Sequence, residues 1–270
     1  MPVEPKGNSD AQLQTAVQRR VVLLGASNLI RGISTVIETA EHVWGRPLDV
    51  MAACGHGRSY GLTSCVLGRS LPAIVQCGLW EDLARREPVP TAALVTDVGN
   101  DILYGVNIDQ IAAWVEQCLE HLAPVCKRVT VTGLPVDPIA ALPPLRFRLV
   151  RSMLFPRSQL AFEKALRYAQ ELDARLADLS AKYDAAFVAP LPEWYAWDPI
   201  HVRLRNWSRA WHTILSTWCD DTSQAVAQGS LLRWLKLRSQ RPRYRKLFCF
   251  QQRRAQPTCA LRNGTIVSLY

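Results

Sequence analysis

Five positions in this chain are of the residue types that a serine-based acyl transfer requires. Ser27 has a hydroxyl, His201 an imidazole, and Asp198, three residues before the histidine, a carboxylate that can orient the ring. Gly57 offers a backbone N–H with no side chain in the way, and Asn100 offers a side-chain amide. This chemistry needs a nucleophile, a base, an orienting group and donors for the developing oxyanion. The five residues fill these roles if the fold brings them together.

The elements that would position them alternate between strand and helix patterns. Short apolar, β-branched runs predict strands at 21–26, 48–54, 91–98, 128–134 and 185–189. Longer patterns of helical period predict helices at 28–43, 71–86, 109–122, 159–183 and 204–218. Strands separated by helices of this length form a parallel sheet covered on both faces. We therefore predict an α/β fold, a flavodoxin-like three-layer α/β/α sandwich with a five-stranded parallel sheet.

Each candidate residue lies at the end of a predicted strand or in the loop that follows it. The segments concerned are 25–28, 55–59, 99–101 and 197–201. In open parallel sheets, ligands bind beyond the carboxyl ends of the strands. A serine, a glycine loop, an asparagine and an Asp/His pair are therefore expected at one edge of the sheet.

Four short motifs carry a family resemblance. They are GASN at 25–28, GHG at 55–57, GND at 99–101 and DPIH at 198–201, which resemble blocks I, II, III and V of the SGNH (GDSL-like) hydrolases. The resemblance spans residues 20–218. One departure is that the usual Gly-Asp-Ser of block I is Gly-Ala-Ser here. Because that aspartate is not a triad member, its loss bears on substrate class more than on mechanism.

The resemblance implies roles for individual residues. Ser27 is the implied nucleophile, with His201 as base and Asp198 completing the triad. The Ser27 N–H, the Gly57 N–H and the Asn100 amide form the implied oxyanion hole. The implied activity is that of a serine ester hydrolase of the esterase, lipase or deacetylase class, acting through an acyl-enzyme intermediate.

Substrate contacts are expected from three further residues. Arg58 follows the implied oxyanion glycine, and Trp194 and Trp197 lie in the loop before the histidine. The segment 137–157 links a strand to its helix and mixes apolar with basic residues. Such a long excursion at the active edge often forms a lid or specificity loop.

Three alternatives remain open on the sequence alone. Residues 57–61 also fit G-x-S-x-G, the nucleophile elbow of α/β-hydrolases, which would make Ser59 the nucleophile. The loop GHGRSYG resembles the pyrophosphate loop of FAD-linked oxidoreductases. The chain could also be a non-catalytic ligand-binding module of SGNH type.

Composition bounds these readings. The chain has 270 residues, 49% hydrophobic and 20% charged, which is typical of one large globular domain. No apolar run is long enough for a transmembrane helix, and the N-terminus lacks the apolar core of a secretory signal. Eight cysteines without a C-x-x-C pair are read as reduced thiols. We expect a cytoplasmic protein with no cofactor and no metal, acting on a small-molecule, lipid or carbohydrate ester.

Charge divides the chain into three predicted parts. These are a polar N-terminal tail at 1–19, a hydrolase-like domain at 20–221 and a basic C-terminal extension at 222–270. The extension holds ten of the 32 basic residues and none of the 23 acids. Because the predicted sheet closes by Trp218, we expect the sheet not to need the extension. Its apolar and basic stretch 231–238 predicts contact with an anionic membrane surface or nucleic acid, which would make the protein peripheral to a membrane.

Overall fold

The structure, a computed structural model, describes residues 17–154, 158–220 and 226–270. Most of the predicted N-terminal tail, 1–19, lies outside these residues, as does the end of the 137–157 excursion. None of the described helices combines the length and apolar character needed to cross a bilayer.

The described strands are eleven. They are β1 (Arg19–Leu24), β2 (Leu48–Ala53), β3 (Ser64–Val66), β4 (Arg69–Leu71), β5 (Thr91–Val95), β6 (Arg128–Thr132), β7 (Ala186–Val188), β8 (Tyr244–Leu247), β9 (Phe250–Arg253), β10 (Cys259–Ala260) and β11 (Ile266–Leu269).

The described α-helices are ten. They are α1 (Ser27–Arg31), α2 (Ile33–Trp44), α3 (Leu79–Arg85), α4 (Asn100–Leu103), α5 (Ile108–Leu122), α6 (Val136–Ala140), α7 (Pro144–Leu154), α8 (Phe162–Lys182), α9 (Trp207–Leu215) and α10 (Leu231–Arg238).

The central sheet has the order β10-β11-β2-β1-β5-β6-β7. The five predicted strands are β2, β1, β5, β6 and β7 of this sheet, and they pair in parallel. Along β1, Val21 and Leu23 pack on one face while Val22 and Leu24 pack on the other. A strand buried on both faces is continuously apolar, so its sequence shows no alternation. The predicted three-layer fold is confirmed.

Helices cover both faces of this sheet. On one face, Ile33 and Ile37 of α2 pack with Trp211 and Ile214 of α9. On the other face, α5 and α8 pack through residues such as Val115, Leu119 and Leu172, which belong to a second core. The strands lie between the two cores. The carboxyl ends of the strands form one edge of the sheet, where loops meet.

The C-terminal segment is part of the sheet, which corrects the expectation from the sequence. Strand β11 pairs in parallel with β2, from Ile266 opposite Asp49 to Leu269 opposite Ala52, and all four of its residues are buried. The buried Glu41 of α2 accepts hydrogen bonds from Thr265 Oγ1 at 2.7 Å and Asn263 Nδ2 at 2.9 Å. The sheet therefore has seven strands, and it does not close at Trp218.

A second, four-stranded sheet has the order β3-β4-β8-β9. The helix predicted at 71–86 is shorter in the structure, where α3 begins only at Leu79. Pro72 and Gly78 interrupt the helical pattern before that residue. The preceding residues form the hairpin β3–β4, which pairs with β8 of the C-terminal segment. Both sheets thus join residues from the two ends of the chain.

Candidate active site

Ser27 and His201 are in hydrogen-bond contact. Ser27 is the first residue of α1, directly beyond β1, and its Oγ lies 2.9 Å from His201 Nε2. On the other side of the ring, His201 Nδ1 lies 2.5 Å from Asp198 Oδ2. With the proton on Nδ1, Nε2 is free to accept the proton of the serine hydroxyl. The structure therefore brings the three sequence-predicted residues into one continuous line of hydrogen-bond contacts.

Asp198 is held in its ionised form. Burial raises its pKa, but the hydrogen bond from His201, the charge of the imidazole and the N–H of Ile200 together keep the pKa below its ordinary value. A carboxylate that stays charged at neutral pH orients the imidazole and stabilises the imidazolium that forms when the serine loses its proton.

Gly57 and Asn100 meet at one loop. The Asn100 side chain, at the start of α4, donates to the carbonyl of Arg58 at 3.3 Å. Gly57 has a φ of +59°, and a Cβ at this position would lie 2.8 Å from the side chain of Val66. The Tyr104 hydroxyl donates to the Gly57 carbonyl at 2.5 Å and so fixes the peptide plane. The left-handed backbone and the close approach of Val66 both favour glycine at this position.

Asp97 organises the turn that carries Ser27, and the sequence analysis missed it. Its carboxylate accepts the backbone N–H groups of Ala26, Asn28 and Leu29 at 3.0, 2.9 and 3.1 Å. The Ser27 N–H is not among them. Asp97 follows β5, which ends at Val95, whereas the predicted strand ran to Val98. A shorter strand would have placed this carboxylate at the carboxyl edge with the other candidates.

Asn28 fixes the segment that carries His201. Its Nδ2 donates to the Ile200 carbonyl at 2.9 Å and to Asp97 at 2.8 Å, while its Oδ1 accepts the N–H of Val202 at 2.8 Å. The contacts grip the residue before and the residue after the histidine. Through this side chain the loop after β1 and the histidine loop are held in one register.

Ser59 does not have the surroundings of a nucleophile. It is fully buried, its hydroxyl donates to Asp101, and it accepts the N–H of Leu62 at 2.8 Å. No histidine contacts it among the residues that the structure describes. The nucleophile-elbow interpretation of 57–61 is therefore wrong.

Asp101 gives the fold a pH dependence. Burial raises its pKa from 3.8 to about 6, against the opposing hydrogen bonds of Ser59 and Tyr60. Because this carboxyl has a higher pKa in the folded than in the unfolded chain, the folded protein loses stability as pH rises from 3.8 to about 6. In Asp101→Asn this loss is absent. We expect the free energy of unfolding of Asp101→Asn, relative to that of wild type, to be higher at pH 8 than at pH 4 by roughly 3 kcal/mol, so that the variant gains stability at high pH.

Urea unfolding of both proteins across that pH range measures this difference. The matched control is Asp109→Asn, because the Asp109 side chain is mostly exposed and an exposed carboxylate contributes little to stability. An equal effect of Asp101→Asn at pH 4 and pH 8 would show that the buried carboxyl has an ordinary pKa.

Arg58 is not placed to bind substrate, which corrects the interpretation from the sequence. It is fully buried, and its guanidinium donates to the carbonyls of Tyr270 and Pro72 and lies 3.5 Å from the Cys54 carbonyl. A buried cation needs such main-chain oxygens as partners. The side chain ties the Gly57 loop to the end of β11.

The two tryptophans of the histidine loop occupy different surroundings. Trp194 is 1% exposed and lines a cavity next to Ser27. Trp197 is 53% exposed and lies against the guanidinium of Arg146, 5.2 Å from the ring centre. Only Trp194 contributes to the wall of the site.

An apolar cavity adjoins Ser27 and Asn100. It has a volume of about 120 Å³, and Ser27 and Asn100 form part of its lining. Most of its wall is apolar, including Leu134, Ile139, Leu142, Phe147, Val150 and Trp194. Helices α6 and α7 of the 137–157 excursion supply several of these side chains.

The described residues hold no cluster of three or more His, Cys, Asp or Glu side chains arranged for a metal ion. Cys118 is buried in the core, and the His121 ring packs against Trp80 with 5.0 Å between the ring centres. Cys54, Cys77 and Cys118 are buried as free thiols.

Neither a protein-family model nor a curated protein matches the sequence. Among solved structures, Est24, a carbohydrate acetylesterase from Sinorhizobium meliloti, superposes with a TM-score of 0.50 at 16% identity, over 72% of this chain and 96% of that one. TesA matches at 15% identity and a TM-score of 0.46, over 73% of this chain and 97% of that one. AlinE4, an SGNH-hydrolase family esterase, matches at 21% identity and 0.41, over 73% and 92%. At these identities the likeness to Est24 is one of fold.

Proposed function

We propose that this chain, whose fold is of the SGNH hydrolase type, is a serine ester hydrolase that works through an acyl-enzyme intermediate. One observation carries the proposal: the continuous contact from Ser27 Oγ to His201 Nε2 at 2.9 Å and from His201 Nδ1 to Asp198 at 2.5 Å. A serine hydroxyl is a weak nucleophile until an adjacent base accepts its proton.

In the first step, Ser27 Oγ attacks the ester carbonyl carbon while His201 Nε2 accepts the hydroxyl proton. The carbonyl π electrons move onto oxygen, and the N–H groups of Ser27 and Gly57 and the Asn100 amide stabilise the resulting oxyanion. The tetrahedral intermediate collapses, the bond to the alcohol oxygen breaks, and His201 returns the proton to the leaving alcohol. The acyl group remains on Ser27.

In the second step, water takes the place of the alcohol. His201 accepts a proton from the water as its oxygen attacks the acyl carbon, and the same donors stabilise the second oxyanion. Collapse breaks the bond to Ser27 Oγ, which regains its proton from His201, and the carboxylic acid leaves. Asp198 stays ionised throughout and orients the imidazole in both steps.

The apolar cavity would hold the acyl part of the ester. A cavity of about 150 Å³ accommodates benzene, and this one, at about 120 Å³, is slightly smaller. By this comparison of volumes, the cavity would accommodate an acyl chain of about four to six carbons. Because the apolar wall begins at Ser27, the acyl chain would enter the cavity while the alcohol faces the outside.

Hydrolysis of p-nitrophenyl acetate, butyrate, hexanoate and palmitate tests the proposal. We expect kcat/KM to be highest for butyrate or hexanoate and to fall for palmitate. Phe147 lines the cavity, so Phe147→Ala should shift the preference towards longer chains. The matched control is Leu149→Ala on the outer face of the same helix, where the side chain is exposed and the preference should stay unchanged.

Two results would contradict this account. If no ester in the series is hydrolysed, the chain acts as a non-catalytic ligand-binding module. If Phe147→Ala, like the control Leu149→Ala, keeps the chain-length preference of wild type, the acyl group binds outside the cavity.

A further inference from the structure

Two hairpin turns meet at one end of the small sheet. Leu67 and Gly68 connect β3 to β4, and Phe248 and Cys249 connect β8 to β9. The Phe248 N–H donates to the Gly68 carbonyl at 2.6 Å, and a Cβ on Gly68 would lie 2.6 Å from the Phe248 ring. We call the surface formed by Leu67, Phe248 and Phe250 the hairpin tip.

The hairpin tip exposes three large apolar side chains. Leu67 is 96% exposed, Phe248 70% and Phe250 75%. Single exposed apolar residues are ordinary, but adjoining ones commonly mark an interaction surface. None of the three contributes to either core of the central sheet.

The backbone at the tip is also unusual for these residue types. Leu67 has a φ of 50° and Phe248 a φ of 51°. This left-handed conformation favours glycine and asparagine, and two-residue hairpins strongly prefer those residues there. The chain thus gives up turn stability at two adjoining positions while both side chains stay mostly exposed. Local strain of this kind is often retained for function.

The strands behind the tip are basic and contain no acid. They carry Arg69, Arg245, Lys246 and Arg253, and none of these four forms an ion pair among the described residues. Desolvation and then the charge of Arg245 lower the pKa of Arg69. Cations that crowd one another without a carboxylate favour an anionic partner.

We propose that the hairpin tip docks on an anionic phospholipid bilayer. Leu67, Phe248 and Phe250 would enter the headgroup region, while the exposed Lys246 and Arg253 behind them would face the phosphates. Nucleic acid is a weaker fit, because the apolar residues sit at the turns, beyond the basic strands, and include an aliphatic side chain that cannot stack on bases.

Docking would bring the candidate active site to the membrane. Val66, directly before Leu67, is the side chain that lies against Gly57. The hairpin tip is therefore one residue from the contact with the implied oxyanion loop. An ester drawn from the bilayer would have a short path to Ser27.

The apolar and basic stretch that the sequence analysis selected, 231–238, is a weaker candidate. In α10, Arg233 is paired with Glu38 and Glu41, and Trp234 donates to the Arg31 carbonyl at 2.9 Å. The helix does expose Leu232 and Leu235. These two residues serve as the comparison surface in the experiment.

The test is co-sedimentation of the full chain with vesicles, without any ester substrate. We expect binding to phosphatidylcholine vesicles containing phosphatidylserine, little binding to phosphatidylcholine alone, and release by raised salt. In Leu67→Asn/Phe248→Asn the affinity should fall at least tenfold. Asparagine suits the left-handed backbone, so the melting temperature should stay equal or rise and hydrolysis of a soluble ester should be unchanged.

The matched control is Leu232→Gln/Leu235→Gln, which should bind vesicles like wild type. The proposal is overturned if wild type does not bind the anionic vesicles, if neutral vesicles bind equally well, or if the α10 variant loses binding while the tip variant keeps it. Loss of vesicle binding in the presence of a single-stranded oligonucleotide, with tight binding of that oligonucleotide, would instead identify nucleic acid as the partner. Since the vesicle and oligonucleotide binding measurements involve no turnover, their outcomes are independent of whether Ser27 is catalytic.

Discussion

Replacing Ser27 by alanine is expected to remove nearly all hydrolysis of p-nitrophenyl butyrate. Loss of a triad serine lowers kcat by a factor on the order of 10⁶, because no hydroxyl remains to form the acyl-enzyme ester. The Ser27 hydroxyl contacts only the His201 ring among the described residues, so the variant should keep its melting temperature. Initial rates on purified Ser27→Ala and wild type, with the melting curve of each, make the comparison.

Ser59→Ala is the control for this variant. It removes a buried hydroxyl that donates to Asp101, so it should lower stability while keeping most of the hydrolysis rate of the folded protein. If Ser59→Ala instead abolishes hydrolysis and Ser27→Ala retains it, the proposed assignment of the nucleophile is wrong.

Ending the chain after Gly229 is expected to abolish the native fold. The deletion removes β11 and, with it, side chains that are almost fully buried: Leu237, Ile266, Val267, Leu269 and Tyr270. Burial of each large apolar side chain contributes about 1.5–3 kcal/mol, whereas a whole domain is stable by about 5–15 kcal/mol. The truncated chain should be insoluble or lack a cooperative melt, which circular dichroism and soluble expression measure.

A single substitution separates the role of the strand from chain length. Val267→Asp places a charge in the middle of β11, where the side chain is fully buried, and should have the same effect as the truncation. Arg262→Ala, in the exposed turn before β11, should behave like wild type. A truncated chain that melts cooperatively and hydrolyses p-nitrophenyl butyrate would show that the sheet is stable without its C-terminal strand.

The five parallel strands between β2 and β7 could be predicted from sequence because their signals are local. Each is a short apolar run between helical patterns, and strands joined by helices of this length pair in parallel. Strand β11 has the same local signal, in Ile266–Leu269, yet its partner β2 begins at Leu48, more than 200 residues earlier. Parallel pairing over that distance leaves no trace in the periodicity of either segment.

The candidate site could be predicted in part for a similar reason. Ser27, Asn100 and His201 lie just beyond strands or in short motifs, so their shared edge followed from the fold. Asp97 was hidden by a strand end placed three residues too late. Arg58 was misread because nothing local shows that its guanidinium meets the carbonyls of Tyr270 and Pro72, which arrive from distant segments.

The most direct test of the central claim is to label the native chain with a fluorophosphonate and locate the adduct by peptide mass spectrometry. The proposed mechanism predicts one adduct, on Ser27, because only that hydroxyl touches a histidine that can accept its proton among the described residues. Labelling should fall sharply in His201→Ala, which leaves the hydroxyl without its base. An adduct on Ser59 or another residue, or labelling of Ser27 that does not depend on His201, would contradict the assignment.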